Sequence, residues 1–179
     1  MLYGKRVVLR AIEKEHLPNY VRWLADPEVL THFGLYLPLS QADEEAWYER
    51  QRSDAKVINF AIELEGVHIG GCGFLSIDHR QRRAEVGLFI GEKQFWNQGL
   101  GQDALATLVA YGFEYLNFHR IYLRVFAENT RGIRAYEKVG FQHEGCFRQS
   151  EWRHGRWHDL LVMSILHPEW PGRGTDADE

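Results

Sequence analysis

Apolar and polar positions alternate from Lys5 to Ile12, the pattern of a strand, and Glu13 to Ala25 follows with Leu17, Tyr20, Val21 and Leu24 at helical spacing. Asp26-Pro27 ends that helix, because a proline ring disfavours the helical conformation in the residue before it. Thr31 to Ser40 combines glycine, proline and aromatics without a clean period and reads as a loop forming part of a pocket wall. Ser40 caps an acidic helix beginning at Gln41, with Glu44 in its first turns, where the helix dipole favours a carboxylate.

Three β-rich segments come next: Val57 to Leu64, Val67 to Ile77 after the tight Glu65-Gly66 turn, and Arg83 to Ile90. Their short connections predict an antiparallel meander. Leu105, Leu108, Val109, Gly112, Tyr115 and Leu116 mark a helix over Gln102 to Leu116, and Arg120 to Phe126 is a strand. Thr130 to Val139 is a helix ended by Gly140, and Phe141 starts a strand again. The last two strands flank the turn Arg153-His154-Gly155-Arg156 and finish with Trp157 to Leu166. The order is that of a mixed α+β sheet rather than strict βαβ alternation. It predicts one domain over residues 1–170, followed by a frayed polar tail over residues 171–179.

Composition changes this picture little. A chain of 179 residues with 45% hydrophobic content suits a single domain with a real core. A formal net charge of −4 gives no general electrostatic reason to bind nucleic acid or an anionic membrane surface, so neither partner is expected. Cys72 and Cys146 lack metal-ligand spacing and read as buried reduced thiols, and the nine histidines show no H-E-x-x-H motif, so no metal is expected. The N-terminus reads as a strand rather than a signal segment, which places the protein in the cytoplasm.

The stretch Gly99-Leu100-Gly101-Gln102-Asp103-Ala104 fits G-x-G-x-x-A, the dinucleotide fingerprint. Context opposes that reading. Gly91 to Gln98 separates the preceding strand from the first glycine, antiparallel strands come first, and the nearest acidic candidate, Glu128, lies beyond the expected distance of about 20 residues. No Gly-Lys-Ser or Gly-Lys-Thr follows, which excludes a Walker A loop. Two glycines that merely turn the chain into a helix remain the plain alternative.

Three segments in one order decide between them: Ala84-Glu85-Val86-Gly87-Leu88-Phe89-Ile90, Gln98-Gly99-Leu100-Gly101, and Asn129 to Phe141 (NTRGIRAYEKVGF). Together they resemble the GNAT superfamily of N-acetyltransferases, and within it the RimJ/RimL-like branch that also holds spermidine acetyltransferases. The resemblance runs from the KRVVLRAIEKEHL opening to the terminal HGRWHDLLVMSIL hairpin. It implies a mostly antiparallel sheet flanked by helices and splayed between the fourth and fifth strands, Arg83 to Ile90 and Ile121 to Phe126.

It also implies acetyl-CoA as co-substrate. Backbone N–H groups of Trp96, Asn97, Gln98, Gly99, Leu100, Gly101 and Gln102 would converge on the pyrophosphate at a helix N-terminus. The pantetheine arm would lie along Leu88, Phe89 and Ile90 as a pseudo-strand, held by Asn129, with Arg131 and Arg134 reaching the phosphates. In one respect the chain departs from the family's common pattern: an arginine or glutamine three residues before the first loop glycine is Trp96 here. Members of the RimJ/RimL-like branch often carry an aromatic there, and the loop is left without one cationic or amide side chain.

Acetyl transfer from a thioester to an amine needs a neutral amine, a polarised carbonyl and a proton for the departing thiolate. By resemblance Tyr136 supplies that proton; without the motif it reads as a core aromatic. Glu85 is either the base, an anchor for a cationic substrate, or a strand carboxylate in an ion pair. The resemblance places the acceptor pocket among Leu30 to Leu39, the helix after Ser40 and the Phe147 to Trp157 hairpin. Its candidate lining residues are His32, Phe33, Tyr36, Glu44, Glu45, Glu85 and Trp152. Thr31 to Ser40 contains no acid, which moves the expected acceptor from spermidine toward a protein N-terminal amine or another small primary amine. The expected partner is that amine-bearing substrate, and a homodimer is allowed for. A polyamine acetyltransferase, a silent CoA-binding module and an NAD(P)-binding protein are the rival readings.

Overall fold

The computed structural model describes residues 1–33 and 38–172, the side chain of His32 excepted. Tyr36 and the tail residues 173–179 therefore lie outside the described residues, as does the side chain of His32.

The strands are β1 (Leu2–Tyr3), β2 (Val7–Ala11), β3 (Ile58–Leu64), β4 (Val67–Asp78), β5 (Arg83–Ile90), β6 (Arg120–Phe126), β7 (Gln142–Arg153) and β8 (Arg156–Leu166). The helices are α1 (Leu17–Leu24), α2 (Gln41–Ser53), α3 (Leu100–Glu114) and α4 (Thr130–Val139). The strands form one sheet in the order β1-β2-β3-β4-β5-β6-β8-β7. Every neighbouring pair is antiparallel except β5 and β6. Short turns join β1–β2, β3–β4, β4–β5 and β7–β8, whereas α1 and α2 intervene between β2 and β3 and α4 and β7 between β6 and β8; the parallel pair needs a crossover, and α3 is that crossover.

Alternation along the strands sends neighbouring side chains to opposite faces. Ile62 joins a core built by α3 through Leu100, Leu105, Leu108 and Phe113, against Leu9, Phe74, Ile121 and Leu123. Ala61, its neighbour, joins Leu17, Tyr20, Trp23, Leu24 and Tyr48 of α1 and α2. The sheet is thus sandwiched, with α3 and α4 on one face and α1 and α2 on the other. Leu105 and Leu108 are completely buried, each contributing about 2 kcal/mol of hydrophobic burial.

Where local structure departs from the periodicity, the causes are local. The run from Glu13 is split into a 3-10 turn over Lys14–His16 and α1, because Pro18 sits in the first turn of an α-helix, where its missing N–H costs nothing. Helix α3 starts at Leu100 rather than Gln102, since Gly99 adopts φ 78° and takes the N-cap. It ends at Glu114 rather than Leu116, and Asn117 turns away at φ 56°. Both cysteines are free, but only Cys72 is buried; Cys146 is exposed, on an edge strand whose side chains have no layer over them.

The feature that positions a site is the parallel pair. Strands β5 and β6 pair only at Arg83–Arg120, Ala84–Ile121 and Glu85–Tyr122. Beyond that point β6 stays with β8 as far as Phe126–Leu160, while β5 stays with β4 as far as Ile90–Gly70. The sheet opens like a V, leaving the edge of Val86 to Ile90 without a ladder partner from β6.

Candidate active site

The mouth of the V holds a cavity of about 240 Å³. Leu88, Phe89 and Ile90 line one wall and Arg124 and Val125 of β6 the other, with the loop before α3 and the first turns of α4 closing the ends. The unpaired amide edge of β5 faces this space, which suits a ligand that itself carries amides.

The loop before α3 is built to present N–H groups. Gly99 is left-handed, a conformation that glycine adopts without penalty, and no side chain caps the helix. The N–H of Asp103 bonds the Gly99 carbonyl at 3.0 Å, so the amides of Leu100, Gly101 and Gln102 precede the first intrahelical bond and remain available. A Cβ on Gly101 would stand 3.5 Å from Leu88, an ordinary van der Waals contact, so the start of α3 packs against β5 with room for a methyl group. The single carboxylate of this turn does not oppose an anion: Asp103 accepts the backbone N–H groups of Lys5, Arg6 and Val7 at 2.7 to 3.0 Å.

Trp96 donates its indole N–H to the Ile90 carbonyl at 2.7 Å, which fixes the ring at the cavity wall. The guanidinium of Arg131 lies over that ring, 4.5 Å from its centroid. Arg6 adds a second cation, donating to the Gln98 carbonyl at 2.9 Å. Arg131 lines the cavity, whereas Arg134 is exposed and lines neither cavity described here. The Gln98 side chain turns back to the Gln94 carbonyl at 2.8 Å, so any part it plays is through its backbone.

Asn129 caps α4, its Oδ1 accepting the Gly132 N–H at 3.0 Å, and it lines the cavity with Tyr136 one face further along the helix. Burial pushes the Tyr136 phenol up to about 12, so the group is protonated at neutral pH and can donate. Glu85 does not line the cavity. Its carboxylate accepts from Arg124 Nε at 2.8 Å and Nη2 at 3.2 Å, a bidentate pair across the parallel junction. Arg124, its partner, is the residue that lines the cavity.

A second cavity, of about 300 Å³, adjoins the first and shares Phe33, Leu88 and Phe89 with it. Helices α1 and α2 supply Tyr20, Leu24, Glu44 and Trp47 to its wall. Phe33 therefore stands at the junction, packed edge-on against Phe89 at 5.1 Å. Trp152 does not: it is exposed at the tip of the β7–β8 hairpin, edge-on to Trp157 at 5.2 Å, and lines neither cavity. The resemblance to the family does not locate Arg6 or Arg124, because both reach the site through contacts distant in sequence. Charge at Lys5-Arg6 is the one local hint of Arg6; Arg124 has none.

Comparison with known proteins agrees with this geometry. Residues 6–142 match the family model described as acetyltransferase (GNAT) domain. The chain is 33% identical over 176 residues to the uncharacterized N-acetyltransferase p20 of Bacillus licheniformis, covering 96% of this chain and 98% of that one. It is 28% identical over 165 residues to the spermidine N(1)-acetyltransferase of Escherichia coli K12, covering 92% and 88%. Among solved structures, the spermidine N-acetyltransferase of Vibrio cholerae in complex with CoA and spermine superposes with a TM-score of 0.87 at 25% identity, covering 93% of this chain and 98% of that one.

Proposed function

Since the chain belongs to the acetyltransferase (GNAT) domain family and is an acetyl-CoA-dependent N-acetyltransferase, we propose that it acetylates a primary amine, of a small molecule or a protein N-terminus, by direct transfer. The observation that carries this reading is the V-shaped opening between β5 and β6. It joins an unpaired amide edge, a helix N-terminus with free N–H groups and a protonated phenol in one cavity.

The free amides of Leu100 to Gln102 hold the pyrophosphate, with Arg131 beside them, and the β5 edge holds the pantetheine arm. Acetyl-CoA supplies the acetyl group as an activated thioester. The neutral amine nitrogen bonds to the acetyl carbon as the carbon–sulfur bond breaks, Tyr136 gives its phenolic proton to the departing sulfur, and the proton shed by the acylated nitrogen passes through solvent to restore the phenol. Glu85 acts through Arg124: both its oxygens are engaged by the guanidinium, which leaves it a poor acceptor for an amine proton and a good anchor for a cation at the cavity wall. Trp96, an aromatic ahead of the loop, supports a RimJ/RimL-like assignment.

A spermidine or polyamine acceptor is the second reading, favoured by likeness to the spermidine N-acetyltransferases of Escherichia coli and Vibrio cholerae. The test is a thermal-shift comparison followed by a thiol-release screen over peptides, polyamines, amino sugars and other small amines. Stabilisation by acetyl-CoA with amine-dependent thiol release is expected. Stabilisation by NADH instead, or thiol release independent of any amine, would overturn the reading.

A further inference from the structure

Glu44 is a carboxylate without a counter-charge. It is buried to 4% exposure in the wall of the second cavity, and among the described residues no cation pairs with it. Buried carboxylates are ordinarily paired, because an isolated charge in an apolar surround carries a large desolvation penalty. That penalty, with the neighbouring Asp43, holds the Glu44 carboxyl above the usual range.

Beside it stands a second orphan. The Tyr20 hydroxyl is buried and has no hydrogen-bond partner among the described residues. It lies along the Gly71 wall of the same cavity, 2.8 Å from where a Cβ on that residue would be. Glu44 and Tyr20 line the same cavity, and Glu44 adds to the effect of burial and Cys72 in raising the Tyr20 phenol, so the two groups form one polar pole. The rest of the lining is largely apolar, with Trp47, Phe60, Leu39 and Leu75 among it, and Phe33 and Phe89 divide it from the cofactor cavity. At about 300 Å³ the space is at the small end of ligand pockets.

We propose that the acceptor is a compact primary amine with an apolar aryl or alkyl body, whose single ammonium is received between Glu44 and the Tyr20 hydroxyl and gives one proton to the Glu44 carboxylate, leaving a neutral nitrogen to attack the thioester. A linear polyamine fits this cavity poorly, because each further ammonium would enter apolar walls without a counter-charge. The assignment rests on the amine-acetylation reading above, and its test separates the two.

Full-length protein with acetyl-CoA is assayed against 2-phenylethylamine, n-hexylamine, spermidine and a short peptide with a free N-terminus. The expected result is a kcat/KM at least tenfold higher for one of the first two than for spermidine or the peptide. Glu44→Gln is expected to raise the KM of that amine at least tenfold, with the KM of acetyl-CoA unchanged. Tyr20→Phe, which removes only an unpartnered oxygen and so preserves the fold, is expected to raise it several-fold. A preference for spermidine or the peptide, or an unchanged amine KM in both variants, overturns the proposal. Calorimetric titration of n-hexylamine into the CoA-saturated protein reads binding apart from turnover. Binding lost in Glu44→Gln without any acetylation would uphold the cavity assignment and sink the transfer reading; absence of binding to the unaltered protein would sink the assignment itself.

Discussion

Arg131 holds its guanidinium over the Trp96 ring, 4.5 Å from its centroid, joining the start of α4 to the loop before α3 at the cavity between β5 and β6. From Trp96 to Gln102 the chain has no cationic side chain, and this contact brings one from another element. A guanidinium over a ring face keeps N–H donors, which lie in its own plane, free for phosphate oxygens. Arg131→Ala is therefore expected to raise the KM of acetyl-CoA about tenfold, equivalent to roughly 1.4 kcal/mol, and to leave the amine KM nearly unchanged. Steady-state kinetics with each substrate varied in turn checks this, and an unaltered acetyl-CoA KM would remove Arg131 from the site.

Tyr136→Phe keeps the ring and removes the proton. The expected loss in kcat is on the order of a hundredfold, typical of a positioned general acid, with acetyl-CoA affinity preserved. Turnover equal to that of the unaltered enzyme would take Tyr136 out of the mechanism.

At Gly99 there is space for a methyl group but not the right conformation, since nothing lies within 4 Å of a Cβ there while φ is 78°. Gly99→Ala should lower stability by about 1 kcal/mol, the cost of a non-glycine residue in the left-handed region. It should also weaken acetyl-CoA binding, because relaxing this residue re-aims the first amides of α3. Tm and calorimetric Kd read the two effects separately.

Glu85 and Arg124 allow a sharp distinction. A base at Glu85 would impose the acidic limb of the pH profile of kcat/KM, whereas an anchor for Arg124 would not. Glu85→Gln is expected to lower kcat/KM with the limb retained. The stability change should stay within about 1 kcal/mol, because Arg124 is half exposed. Disappearance of the limb would restore Glu85 as the base.

His68 gives the fold a pH dependence. Its Nε2 bonds the Gly70 carbonyl at 3.0 Å and therefore carries the proton, leaving Nδ1 to accept from Asn19 at 3.2 Å, so both partners suit the neutral ring. Burial, and then His16, push its pKa down to about 4, with Glu92 and Arg22 also facing it. Protonation is easier in the unfolded chain, so this stability is present above the unfolded value near 6.5 and is lost as pH falls toward about 4. The loss should be on the order of 3 kcal/mol. His68→Gln should flatten the decline of Tm between those values; an identical decline would assign the acid sensitivity elsewhere.

Much of the fold was legible because its signals are local. The Glu65-Gly66 turn, the period of α3, the Asn129 cap and the Gly140 stop each act over a few residues. Three segments whose order and glycines carry the family resemblance supply Leu88 to Ile90, Gly99, Asn129 and Tyr136, and the structure brings these residues together around one cavity. Glu85 illustrates what was not legible. Its place on β5 was readable, but its partner Arg124 lies on a strand brought alongside by the crossover, and no spacing announces that pairing.

Backbone sterics, periodicity and chain-local hydrogen bonds were enough to read the elements, their order and the glycine loop ahead of α3 from the sequence. Only the tertiary structure decided where β5 parts from β6, that Arg131 and Arg6 attend the loop, and that Glu44 and Tyr20 share a cavity. The physical reason is that charge pairing and burial depend on distance in space. A carboxylate on one helix and a hydroxyl on another become a binding pole only after both have packed on the same face of the sheet.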